Sequence, residues 1–152
     1  MTLPRATRIL TALLALPALA ACAELLRSDG PPVAGGVLEQ RAKWEAQRLD
    51  DYRFVVSRSC FCTEEATRPA RVEVRNGRVA RVTGVESGRE LDPSLGFTID
   101  QLFGWIAAAE AEGTYVTAAY HPRLGYPTGA VIGTLANDAG TAYSLGGLEP
   151  LR

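Results

Sequence analysis

Asn76-Gly77 lies between two alternating runs, Ala70-Arg71-Val72-Glu73-Val74-Arg75 and Arg78-Val79-Ala80-Arg81-Val82. Both turn residues tolerate the positive φ of a type I′ turn, so the dipeptide predicts a two-residue hairpin and commits this stretch to antiparallel pairing. Across the turn Val74 faces Val79. Continuing that register sets Arg81 against Val72, so the alternation slips near the end of the second strand and a bulge is expected there.

The flanking segments complete an α+β pattern. Val37 to Asp51 is rich in helix formers, with Leu38, Ala42 and Leu49 at near-helical spacing and Trp44 seven residues after Val37; a first helix is expected. Tyr52, Phe54 and Val56 alternate with Arg53, Val55 and Ser57, a strand with one aromatic face that runs into Cys60-Phe61-Cys62. Thr98-Ile99-Asp100-Gln101 has the form of a capping box, followed by the stripe Ile99, Leu102, Phe103, Ile106, Ala109 and by Gly113 as a stop. Two or three further strands are expected near 114–120, 128–135 and 140–145, with Pro122, Gly125, Pro127, Asn137 and Asp138 in the turns. The expectation is one antiparallel sheet of about five strands with two helices, in the order α-β-β-β-α-β-β, with a further strand to follow if three form.

The start of the chain reads differently. Arg5 and Arg8 precede a run from Ile9 to Ala21 that is apolar except for Thr11 and ends at Cys22. The run is shorter than the about 20 residues that span a bilayer, and its pattern is that of a secretory signal peptide. Leu19-Ala20-Ala21-Cys22 resembles the lipobox of bacterial lipoproteins, in which the thiol takes up diacylglycerol and the bond before it is cut. The resemblance implies a signal peptide at 1–21, lipid on Cys22, and attachment to a membrane through two or three acyl chains, which hold stably where one does not. Residues 22–36 hold Gly30, Pro31, Pro32, Gly35 and Gly36 and read as a flexible tether to a single domain at 37–152. Ala23 is not the aspartate associated with inner-membrane retention. The implied address is therefore the outer membrane facing the periplasm in a cell with two membranes, and the outer face of the cell membrane otherwise.

Trp44 and Tyr52 ahead of Cys60-x-Cys62, the hairpin VEVRNGRV, the helix start TIDQLF and the later LGYP segment together resemble a family of small bacterial lipoproteins of unknown function. The resemblance runs from about residue 44 to 150 and implies export and fold, but no reaction. In that family an acidic residue tends to follow the Tyr-Pro turn; Val131-Ile132-Gly133-Thr134 has none, which argues against metal or catalytic chemistry at that place.

Composition narrows the function classes. Removing residues 1–21 leaves 131 residues, enough for one domain, with 14 basic against 17 acidic side chains; nucleic acid is not an expected partner. The sole lysine, Lys43, stands outside any phosphate-binding loop, and neither Gly-x-Ser-x-Gly nor His-Glu-x-x-His occurs. The sole histidine, His121, sits beside Pro122 in an expected turn and reads as an exposed loop residue. No catalytic residue, metal site or cofactor is assigned.

Two features could carry chemistry. In a strand the Cα atoms of Cys60 and Cys62 would stand about 6.6 Å apart, near the upper limit for a disulfide, so bonding requires a local bend. Closing so small a loop is worth roughly 1.6 kcal/mol. The pair reads in three ways: a structural bond in an oxidising compartment, a redox-active pair favoured by Arg58 and opposed by Glu64 and Glu65, or a soft thiolate site of the kind that suits cuprous copper. Tetrahedral zinc takes about four ligands, and with two free thiols and one imidazole in the mature chain a four-cysteine site within one chain is excluded. The second feature is Arg71, Arg75 and Arg78 on the hairpin, a candidate anion-binding face or a solvated strand face that discourages edge pairing. The reading that follows is a membrane-anchored envelope protein that binds a protein or small ligand, with thiol redox or copper handling as the alternative.

Overall fold

A computed structural model describes residues 31–134 and 139–152. The signal-peptide segment, Cys22 and the turn residues Asn137 and Asp138 lie outside the described residues.

The elements are α1 (Val37–Glu45), β1 (Tyr52–Ser59), α2 (Glu64–Thr67), β2 (Ala70–Arg75), β3 (Arg78–Gly84), a 3-10 turn at Pro93–Leu95, α3 (Ile99–Glu112), β4 (Val116–Tyr120), β5 (Pro127–Ile132) and β6 (Thr141–Pro150). The architecture is α+β, with six strands in one sheet, order β3-β2-β1-β6-β5-β4, and every neighbouring pair antiparallel. This corrects the expectation of about five strands and two helices. The third helix, α2, is a single turn with no buried residue, so it leaves no apolar period to read. β6 runs on through Gly146-Gly147, a pair that reads as a turn in isolation; its register against β1 shifts between Arg53 and Val55.

The Asn-Gly hairpin forms as its residues require, with φ of 50° at Asn76 and 68° at Gly77. Val74 pairs with Val79, and the expected slip is present: Glu73 pairs with Arg81 and Val72 with Val82, so one extra residue of β3 bulges between them. The bulge returns Val82 to the buried side, where it is fully covered. The turn is also held from outside. The backbone N–H of Gly77 donates to the Asp50 carbonyl at 2.9 Å and that of Asn76 to the Asp51 carboxylate at 2.7 Å. This second bond, with Arg75 beside it, keeps the Asp51 carboxyl below its ordinary range.

α3 starts on the expected capping box: Thr98 Oγ1 accepts from the Gln101 N–H at 3.1 Å while the Gln101 side chain accepts from the Thr98 N–H at 2.8 Å. A third orphan donor, the Ile99 N–H, reaches the Tyr52 hydroxyl at 3.0 Å, which pins the helix start to the first strand. α1 is shorter than expected, ending at Glu45, and Arg48 beyond it has a φ of 52°. Its buried stripe is Val37, Gln40 and Trp44, whereas Leu38 is exposed.

The core lies between one face of the sheet and the helices. Tyr52, Phe54 and Val56 of β1, Val72 and Val74 of β2, and Leu145 of β6 meet Ile99, Leu102, Phe103 and Ile106 of α3 in one buried cluster. Trp44 packs edge-on against Tyr52 (5.3 Å between centroids) and Tyr126 (6.3 Å). The opposite face carries small and charged residues, with Arg53 paired to Glu149. Among the described residues no helix is long and apolar enough to cross a membrane.

Candidate functional site

β1 alternates strictly from Tyr52, so its even positions face the core. The next residue of that parity after Val56 is Arg58, which brings a guanidinium to the edge of the buried layer. It is half-buried; its Nη2 donates to the Leu95 carbonyl at 2.5 Å, and its charge lies 5.2 Å from the centre of the Phe97 ring, a cation–π contact. No carboxylate lies within ion-pair distance of it among the described residues. Burial pulls its pKa below the ordinary arginine value, yet a guanidinium stays charged throughout the working pH range. A half-buried cation without a carboxylate counterion is costly unless something else neutralises it.

Around Arg58 the aromatic rings form a connected wall. Phe97 contacts Trp105 (5.2 Å) and Tyr143 (5.5 Å), and Trp105 contacts Tyr143 (5.9 Å). Trp105 is 40% exposed and stands between two open grooves. One, of about 520 Å³, is lined by Arg58, Arg78, Ser94, Thr98, Gln101 and Trp105 among others. The other, of about 440 Å³, is lined by Cys60, Phe61, Cys62, Trp105, Thr141 and Tyr143 among others. The first offers two guanidinium groups, two hydroxyls and an amide, a donor set that suits an anionic group; the second is an aromatic and sulfur surface.

The residues singled out from sequence are distributed as follows. Arg71 and Arg75 share the uncovered face of the sheet. Arg75 is engaged by Glu73 at 3.0 Å and Asp51 at 3.4 Å, whereas Arg71 has no ion pair among the described residues. Arg78 lines the groove that holds Arg58. Cys60 and Cys62 lie just past the end of β1, in a bend, with sulfurs 2.00 Å apart and Cα atoms 5.4 Å apart; leaving the strand supplies the shortening that bonding needs. His121 is in a turn, as expected, but is buried, because its Nδ1 accepts from the N–H groups of Arg123 (3.3 Å) and Leu124 (3.1 Å) while its ring stacks on Tyr126. Among the described residues there is no group of three or more His, Cys, Asp or Glu side chains placed to hold a metal ion.

Arg58 was not among the expected site residues. The signal was present in the alternation: an arginine at a core-facing position of an aromatic strand is a charge that must find a reason to be there.

These features define a one-sheet α+β domain, helices on one face, with an arginine-and-aromatic groove at the end of its central strand. The chain belongs to a family of unknown function, DUF6174, whose family model matches residues 37–150. No curated protein and no solved structure matches the chain.

Proposed function

We propose that this chain is a lipid-anchored protein of the bacterial cell envelope whose domain binds an anionic group, carried by an envelope protein or a small ligand, in the groove at Arg58. The anchor is the lipid on Cys22, and residues 22–36 are the tether. The address is the outer membrane facing the periplasm where there are two membranes, and the outer face of the cell membrane otherwise. Support for the anchor comes from the Leu-Ala-Ala-Cys22 segment after a short apolar run. Support for binding rests on one observation above others, the half-buried Arg58 guanidinium that lies against Phe97 and has no carboxylate partner among the described residues.

The binding reading is tested by the fluorescence of Trp105, the exposed one of the two tryptophans, titrated with citrate and with inorganic phosphate. A saturable change is expected. Arg58→Gln should weaken it at least about tenfold, as loss of a charge-assisted contact does, while Arg71→Gln on the opposite face leaves it unchanged. Equal effects from the two substitutions, or no saturation in the parent protein, would count against the reading. The anchor is tested separately: Cys22→Ser should abolish incorporation of labelled palmitate and move the protein from the membrane pellet to the soluble fraction. A Cys22→Ser protein that still sediments with membranes removes the lipid-anchor proposal.

A further inference from the structure

The bond between Cys60 and Cys62 encloses Phe61 alone. Both cysteines follow β1 and precede α2, so the bond joins no two elements of the fold. By the loop-closure relation such a ring restricts the unfolded chain about half as much as a fifteen-residue loop does. The stabilising role expected of a secreted protein's disulfide is therefore small here. What the bond does have is access. Cys62 is exposed, Cys60 half-buried, both line the open groove beside Trp105, and Phe61 between them is 84% exposed, an apolar handle for a partner. Of the acids that follow, Glu64 is ion-paired with Arg68, which lessens its opposition to a thiolate nearby.

We infer that Cys60–Cys62 is an exchangeable disulfide that oxidises a protein dithiol. A thiolate of the partner attacks Sγ of Cys62, a mixed disulfide forms, and Cys60 leaves as a thiolate and takes up a proton. The partner's second thiolate then attacks its own sulfur in the mixed disulfide and releases Cys62, which is protonated in turn. The partner loses two electrons and two protons and gains a disulfide; Cys60 and Cys62 gain both and become thiols. This activity is independent of the binding proposed at Arg58.

The test uses the full chain, equilibrated without oxygen in glutathione buffers of graded ratio, quenched with acid and alkylated. An immunoglobulin domain, whose buried bond joins two sheets, is included in the same tube. Trypsin cuts after Arg58, so the peptide that begins at Ser59 reports on Cys60 and Cys62 apart from Cys22. The bond should be half open at a ratio at least about tenfold more oxidising than the immunoglobulin domain requires; a smaller separation overturns the inference. A Cys60→Ser, Cys62→Ser double variant should lower the urea midpoint by no more than about 1.5 M, the loss that closing so small a loop accounts for. A fall beyond that would make the bond a staple of the fold and overturn the inference equally.

Discussion

Replacing Gly125 by alanine should destabilise the domain by about 2–5 kcal/mol. Gly125 has a φ of 76°, where an L side chain costs about 1–2 kcal/mol. A Cβ there would also meet the Gln40 carbonyl oxygen at 2.4 Å, Lys43 Cβ at 2.7 Å and Trp44 N at 3.1 Å. Two of these are backbone atoms of α1 and cannot swing aside, so the helix must move off the turn, at the about 1–3 kcal/mol typical of overpacking. The movement would reach the core, because Trp44 on that helix packs against Tyr52 and Tyr126. Gly77→Ala supplies the control: φ is 68° and nothing lies within 4 Å of the added carbon, so it should show the conformational cost alone. Urea unfolding measures both. If Gly125→Ala costs no more than Gly77→Ala, α1 does not rest on this turn as closely as described.

Tyr52→Ala should be comparably damaging, and Tyr52→Phe should divide its effect into parts. Removing a buried aromatic ring costs about 3–5 kcal/mol, and this ring is 1% exposed and touches Trp44 and Phe54. The phenylalanine variant keeps the ring and removes the hydroxyl that accepts from the Ile99 N–H at 3.0 Å. A buried donor left without a partner costs about 1–3 kcal/mol, and here it belongs to the first turn of α3. Burial also holds the Tyr52 phenol well above its ordinary pKa, so the hydroxyl is neutral at any working pH. Hydrogen exchange should therefore show the Ile99 amide losing protection in Tyr52→Phe beyond the global change in stability. Unchanged protection at Ile99 would mean that this amide is satisfied by another group.

The elements that could be read before folding are those specified within a few residues. Asn76-Gly77 carries its own turn geometry, and the slip between Val72 and Arg81 could be counted from the alternation alone. Thr98 and Gln101 cap a helix whichever sheet it lands on. Where long-range packing decides, local reading failed: Gln40 is polar yet occupies the buried stripe of α1, and Leu38 beside it faces solvent. Gly146-Gly147 continues a strand because β1 is there to receive it. The candidate site falls between these cases. Cys60 and Cys62 were visible as a pair whose bonding the spacing left open, and the bend where they meet is what a bond at that spacing requires. Arg58 acquired meaning only when the 3-10 turn at Pro93–Leu95 brought Leu95 to its guanidinium and the following segment brought Phe97 to its flat side.

The strand order β3-β2-β1-β6-β5-β4 also has a temporal side. The hairpin partners β2 and β3 with β1 form one half of the sheet and β4 with β5 the other, and only β6, the last ten-residue strand, lies between them. Until residues 141–150 are available the two halves share no ladder, and the closing contacts span about ninety residues of sequence. Contacts of such separation form late. A chain still being made, or still being threaded, therefore keeps the two halves of its sheet unjoined until β6 arrives. For a protein proposed to cross a membrane before it folds, a sheet that β6 alone closes cannot be completed until residues 141–150 have crossed as well.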